Sequence, residues 1–190
     1  MTDKKLAQPF ATATEEATLI RAAATDPGAF RPLYEGYFKR IFLFVLHRVG
    51  EREVAADITQ QVFLNALTHI GRFQFRGLPF SAWLFRIAIN QCHDYFRKTK
   101  RTRTVVLDEA ALENLHDELT ADQTREEWEK HLPRLLEQLK SEELNLVELR
   151  FFEGRPFKEI GEILGITETY AKVRTYRLLE KMKKMYLKKR

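Results

Sequence analysis

Apolar residues recur at three- and four-residue steps along most of the chain, and no stretch alternates apolar and polar positions long enough to argue a strand, so the pattern predicts an all-α protein. Thr12, with Glu15 three residues on, forms a capping box ahead of Leu19, Ile20 and Ala23. Asp26 and Pro27 supply an N-cap and a first-turn proline for a long helix carrying Phe30, Leu33, Tyr34, Tyr37, Phe38, Ile41, Phe42 and Val45, which ends near Gly50. A third helix, about 51–70, turns Val54, Ile58, Val62 and Leu67 inward and is stopped by Gly71. Pro79 opens a fourth, with Phe80, Trp83, Leu84, Ile87, Ala88, Cys92 and Tyr95 along it, which runs out into Arg97, Lys98, Lys100, Arg101 and Arg103.

Between residues 104 and 124 the periodicity weakens and acidic side chains dominate, which predicts a flexible, solvated linker between two small helical domains, 12–103 and 125–190. Beyond it Trp128, Leu132, Leu135, Leu136 and Leu139 form one helical stripe, and Leu144, Val147, Leu149, Phe151 and Phe152 another, closed by Gly154. Then come a short helix over 156–164, a turn at Gly165 and Ile166, and a last helix from Thr167 to about Leu187. Charge follows the same division. Residues 1–104 hold 16 basic and 9 acidic side chains, residues 105–150 hold 5 and 13, and residues 151–190 hold 11 and 5. Two basic blocks joined by an acidic one suit two surfaces facing a polyanion, with a repelled segment between them.

Composition narrows the classes further. With 44% apolar and 31% charged residues among 190, the chain is too apolar for disorder and too polar for a membrane-embedded protein. No run approaches the roughly 18 apolar residues of a spanning helix, and Met1 to Phe10 lacks the apolar core of a secretory signal, so a cytoplasmic location is expected. The single cysteine, Cys92, forbids an internal disulfide, and His47, His69, His93, His116 and His131 lack ligand spacing, so no metal is expected. Glu51, Glu53 and Asp57 share a helix, but no Glu-x-x-His pairing, phosphate-cradling Gly-rich loop or Ser/His/Asp set accompanies them, which argues against an enzyme.

Three constellations remain. The most specific runs from Phe157 to Arg177, where Ile160 and Leu164 face inward, a glycine makes the turn, Ile166 is buried and Thr167 caps a second amphipathic helix, as a helix-turn-helix requires. The outward face of that helix carries Lys172, Arg174, Tyr176 and Arg177, then Lys181, Lys183 and Lys184, a set able to reach base edges or clamp phosphates. A second constellation sets Gln74, Phe75, Arg76 and Gly77 before Phe80, Trp83, Arg86, Asn90, Asp94, Arg97 and Lys98. Aromatic faces, amides and cations together suit unpaired bases, although at this spacing a core is the commoner role for Phe80 and Trp83. The third is Asp57, Gln60, Gln61 and Leu64, at i, i+3, i+4 and i+7, a polar stripe with one apolar residue for which a neutral solvated face is by itself the default reading.

Taken in order, Leu33-Tyr-Glu-Gly-Tyr-Phe-Lys-Arg, Ala55-Ala-Asp-Ile-Thr-Gln-Gln-Val-Phe-Leu, the Phe75 loop with Phe80-Ser-Ala-Trp-Leu-Phe-Arg, and Leu149-Arg-Phe-Phe-Glu-Gly through Gly165-Ile resemble the bacterial sigma factors of RNA polymerase. The size, two domains without intervening regions, is similar to the extracytoplasmic-function group, and the resemblance spans about residues 12–187. It implies a sigma region 2-like domain and a region 4-like helix-turn-helix domain. It also implies that Asp57, Gln60, Gln61, Phe63 and Leu64 dock on core RNA polymerase, and that Phe75 and Arg76, with Trp83, Asn90, Asp94, Arg97 and Lys98, meet the minus-ten element of promoter DNA. Lys172, Val173, Arg174, Tyr176 and Arg177 match the helix that reads the minus-thirty-five element. An anti-sigma factor is a further implied partner, and neither a cofactor nor a small-molecule substrate is implied. The chain departs from the family's usual residues at Lys140 (proline), Gly161 (alanine) and Tyr170-Ala171 (threonine-valine). The competing reading is a helix-turn-helix regulator acting without polymerase, which needs neither the Asp57 stripe nor the aromatic loop.

Overall fold

The computed structural model describes residues 9–10, 12–74, 79–100, 115 and 125–187, with the backbone alone for 125–130. Every regular element among them is helical, and the chain divides into two compact units, Met1–Thr104 and Val105–Arg190.

The first unit holds α1 (Ala13–Ala23), α2 (Arg31–Val49), α3 (Arg52–His69) and α4 (Phe80–Thr99). Thr12 caps α1, its Oγ1 accepting the Glu15 N–H at 3.1 Å. Asp26 caps a 3-10 turn over Pro27–Phe30 instead of the long helix, accepting from Gly28 N–H at 2.8 Å, and α2 starts only at Arg31. Gly50, at φ 75°, ends α2 in the left-handed conformation that glycine adopts without strain. Gly71 is not the stop for α3. It lies inside a second 3-10 turn, Ile70–Arg72, after which Phe73 leads off in extended conformation.

The buried face of α3 is turned from the expected one. Ala55, Ile58, Thr59, Val62, Phe63 and Ala66 are inside, while Val54 and Leu67 are only half-buried. Alanines and a threonine let α2 and α4 close on this face, and the Thr59 hydroxyl is satisfied by the Ala55 carbonyl at 2.7 Å. The core is completed by Leu33, Tyr37, Ile41 and Val45 of α2 and by Phe80, Leu84, Phe85, Ala88 and Cys92 of α4.

One buried carboxylate joins three helices. Glu16 of α1 accepts the Tyr37 hydroxyl of α2 on Oε1 and the backbone N–H of Phe80, the first residue of α4, on Oε2 at 3.3 Å. Pro79 precedes α4 without a capping side chain, so the helix end is served from 64 residues upstream.

The second unit contains α5 (Arg125–Glu137), α6 (Ser141–Val147) continued by a π-helical turn over Glu148–Phe152, α7 (Phe157–Leu164) and α8 (Glu168–Leu187). Its core joins Leu132, Leu135, Leu136 and Leu139 to Leu144, Val147, Phe151, Leu178, Leu179, Met182 and Tyr186. The expected linker, 104–124, lies outside the described residues except for Leu115, which is fully buried in this core. At that residue the acidic stretch carries an apolar anchor and is not solvated.

The turn between α7 and α8 uses Gly165 at φ 69°, and Thr167 Oγ1 accepts the Tyr170 N–H at 3.2 Å to cap α8. Ile160 and Ile163 are the inward residues of α7, whereas Leu164 and Ile166, expected inside, are half-buried. Gly161 sets how closely the turn approaches α7. The Ile166 N–H donates to its carbonyl at 2.8 Å, and a Cβ on Gly161 would sit 2.8 Å from the Ile166 oxygen and 3.2 Å from the Glu168 nitrogen, so turn backbone occupies the space a side chain would take.

Gly161→Ala is therefore expected to destabilise the second unit by about 1–3 kcal/mol, the range for overpacking, despite alanine's better helix propensity. Gly71→Ala, whose Cβ meets nothing within 4 Å, is the control expected to be neutral. Denaturant unfolding of both variants followed by circular dichroism checks the contrast.

Candidate functional site

Three helix faces carry the residues singled out above. On α3, Asp57, Gln60 and Gln61 are exposed and Leu64 stands 56% exposed, with Gln61 donating to Asn65 Oδ1 at 3.2 Å. Phe63 does not belong to this face. It is 3% exposed and packs edge-on against Phe30 and Tyr34 with centroids 6.4 and 4.9 Å away, so it supports the stripe from beneath. Tyr34, one of the recurring apolar residues of the long helix, is 36% exposed, and Phe38 and Phe42 are half-buried beside it. Apolar residues on α2 cover more of its circumference than one buried face can absorb, a width visible in the sequence that the three-four spacing alone conceals.

Phe75 and Arg76 lie outside the described residues. On either side of that segment in sequence, Phe73, Phe80 and Trp83 form an aromatic group with centroids 5.2 to 5.5 Å apart. Phe80 is fully buried and is core, as its spacing suggested, whereas Trp83 is half-buried and keeps an accessible edge. Phe73, not singled out from sequence, belongs to the same group. Further along α4, Asn90 and Lys98 are exposed, and Asp94 holds Arg97 Nη2 at 2.8 Å while the arginine stays largely in solvent. Asn90, Asp94 and Arg97 thus share one face, and Arg97 offsets the negative charge of Asp94 next to any nucleic acid.

On α8, Lys172 and Arg177 are exposed, as are Val173 at 40%, Tyr176 and Tyr170. Arg174 is held back. Both its Nη atoms donate to Glu142 Oε2 at 3.2 Å, and its guanidinium lies 5.5 Å from the Tyr170 ring. Lys181 donates to both oxygens of Glu143 at 2.8 and 3.0 Å, and Glu143 Oε2 also accepts the Lys140 N–H at 2.9 Å, which caps α6. Burial raises the Glu143 carboxyl, but the Lys181 ammonium and the Lys140 N–H outweigh it and hold the group below the ordinary glutamate range. Neither Glu142 nor Glu143 was singled out from sequence, since both partners lie more than 30 residues away.

Among the described residues no group of His, Cys, Asp and Glu is placed to hold a metal, and no helix is long and apolar enough to cross a membrane.

Residues 33–102 match the Sigma-70 region 2 family and residues 135–184 the Sigma-70, region 4 family. The chain is 30% identical over 166 residues to the ECF RNA polymerase sigma factor BldN of Streptomyces coelicolor, covering 87% of this chain and 63% of BldN, so it spans less than two thirds of that relative. It is 29% identical to the RNA polymerase sigma factor CarQ of Myxococcus xanthus, covering 87% of this chain and 92% of CarQ, and 27% identical to the ECF RNA polymerase sigma factor SigW of Bacillus subtilis, covering 84% and 89%. Among solved structures, CnrH in complex with the cytosolic domain of CnrY matches with a TM-score of 0.60 at 20% identity over 90% of this chain and 96% of that chain, a likeness of fold.

The Glu143 bridge has a pH signature. A carboxyl held low in the folded state stabilises above the ordinary glutamate range, and that contribution is lost as pH falls through its folded-state value. Glu143→Gln is expected to lower stability near neutrality by no more than about 1 kcal/mol, as for a largely screened pair. The difference should begin to shrink as pH falls past the ordinary glutamate value of about 4 and vanish at still lower pH, and unfolding midpoints from pH 7 to pH 2 provide the check.

Proposed function

Because the chain belongs to the sigma-70 family, in its extracytoplasmic-function group, we propose that it is a detachable specificity subunit that joins core RNA polymerase, recognises promoter DNA and promotes transcription initiation. The observation that carries this reading is the pairing of surfaces with the two matched regions. The region 2 match contains an exposed polar stripe and an aromatic-cationic face, and the region 4 match contains a glycine-turned helix pair with a cationic outer face.

In this reading Asp57, Gln60, Gln61 and Leu64 of α3 dock on the polymerase. The segment containing Phe75 and Arg76, with Trp83, Asn90, Asp94, Arg97 and Lys98, takes unpaired non-template bases of the minus-ten element. Stacking offers about 1–3 kcal/mol per base and offsets the few kcal/mol of unstacking each step, so opening requires binding energy and no catalytic group. The protein is accordingly not an enzyme, and its place of work is the cytoplasm. Lys172, Val173, Arg174, Tyr176 and Arg177 of α8 face the minus-thirty-five element, with residues 12–103 and 125–190 as the two functional domains and 104–124 as their connection. An anti-sigma factor covering one of these faces is the expected inhibitor. The structural relative CnrH is itself solved with a protein partner, the cytosolic domain of CnrY.

Two measurements test the reading. Asp57→Ala with Gln60→Ala removes exposed side chains only, so it should leave helicity intact while weakening holoenzyme formation at least about tenfold, equivalent to roughly 1.4 kcal/mol. Unchanged holoenzyme on gel filtration would remove the docking assignment. Core polymerase should also convert weak promoter binding into tight complexes with permanganate-reactive non-template thymines in the minus-ten element. If the isolated protein bound duplex promoter at nanomolar concentration with no gain from polymerase and no reactive base, it would be a stand-alone regulator.

A further inference from the structure

Arg174 differs from its neighbours on α8. Lys172 and Arg177 are exposed, whereas the Arg174 side chain is 32% exposed and fixed twice, by the two hydrogen bonds to Glu142 Oε2 and by the face of Tyr170. Glu142 comes from the first turn of α6, and its own side chain is 75% exposed, so its burial contributes little to the fold. A guanidinium offers five N–H donors, of which Glu142 takes two, leaving three for a further acceptor. Its charge is already balanced by the carboxylate, which weakens its pull on a phosphate and its share of counterion release. Its plane is set in advance, which favours a ligand that must be met by a fork at a fixed angle. The O6 and N7 edge of guanine in the major groove is such a ligand, and a phosphate, approachable from many directions, is not.

We propose that Glu142 is a positioning residue for sequence readout: by holding Arg174 as a pre-oriented, charge-balanced fork, it makes that arginine a guanine reader and leaves phosphate contacts to Lys172 and Arg177. The inference rests on α8 being the helix that meets the minus-thirty-five element. It assigns Glu142 no contact with DNA. Glu143 serves as the internal contrast, because it bridges the same two helices through Lys181, which is not among the five residues assigned to the minus-thirty-five element.

The test uses holoenzyme reconstituted with full-length variants and a promoter set carrying each base pair in turn at every position of the upstream element. Glu142→Ala and Arg174→Ala should each reduce discrimination at one and the same G·C pair about tenfold, and Glu142→Ala should add nothing in the Arg174→Ala background. Glu142→Ala should also steepen the salt dependence, because an uncompensated Arg174 becomes available to phosphate, while Glu143→Gln should leave the base profile untouched. A flat response to Glu142→Ala alongside a clear loss with Arg174→Ala would overturn the positioning role and leave the recognition helix standing. A Glu142→Ala effect that persisted without Arg174 would overturn it in favour of a direct base contact by the carboxylate. If Arg174→Ala itself changed neither the profile nor the salt dependence, the reading of α8 would fail together with the inference.

Discussion

Every helix begins with backbone N–H groups that its own carbonyls cannot reach, and the way this chain satisfies them decides where its outer faces point. Among the described residues three helices are capped locally, α1 by Thr12, α6 by Glu143 and α8 by Thr167. The start of α4 is served from a distance by Glu16, a carboxylate removed from water and therefore costly unless hydrogen-bonded. Tyr37 and Phe80 both donate to it, so the same contact that satisfies the helix end also fixes α1, α2 and α4 against one another. Phe73 and Trp83 pack on Phe80 at that end, so the buried polar contact that fixes the start of α4 also helps place the aromatic group.

In the second unit the corresponding anchor is α6. Its Glu143 satisfies the Lys140 N–H and reaches Lys181, and its neighbour Glu142 reaches Arg174, so consecutive acidic residues grip α8 at two points 7 residues apart. The glycine turn sets the other boundary. At Gly161 the backbone of the turn lies against α7 where an alanine Cβ would collide, which fixes how closely α7 and the start of α8 approach. The buried side of α8, with Ala171, Thr175, Leu178, Leu179 and Met182, determines which side is turned outward, and the turn and the two glutamates add to that setting.

Much of this was legible from spacing. The helical class, the Thr12 cap, the exposed Asp57 stripe, the Gly165 turn and the Thr167 cap all follow from residues close together in sequence, where local sterics and hydrogen bonding decide the outcome. What escaped was non-local or depended on neighbours. Phe63 sits one residue from the stripe yet points into the aromatic group beneath it, and Val54 yields its place to Ala55 because close helix approach favours the smaller side chain. Glu16 looks like any first-turn acid of α1 until α4 is brought onto it. The block of residues 105–150, read as a repelled spacer, also supplies Glu142 and Glu143 as partners for basic side chains on α8, and Leu115 as an anchor in the core.

That last point alters how the charge distribution works in the proposed function. A chain with a surplus of five positive charges would bind any nucleic acid if all its cations were equally available. On α8 they are not: Arg174 and Lys181 are each matched by a glutamate of α6, and Lys183 lies 3.7 Å from Glu180. In the proposed function such pairing would lower the non-specific attraction while leaving donors of α8 available to a base edge, which favours the ratio of specific to non-specific binding over total affinity. A subunit that acts only when carried by a larger partner can tolerate that loss, because attachment replaces free encounter with a high effective concentration of the promoter contacts. In the proposed function the glutamates of α6 that pair with α8 suit a protein whose selectivity resides in its own side chains and whose affinity is completed by the polymerase.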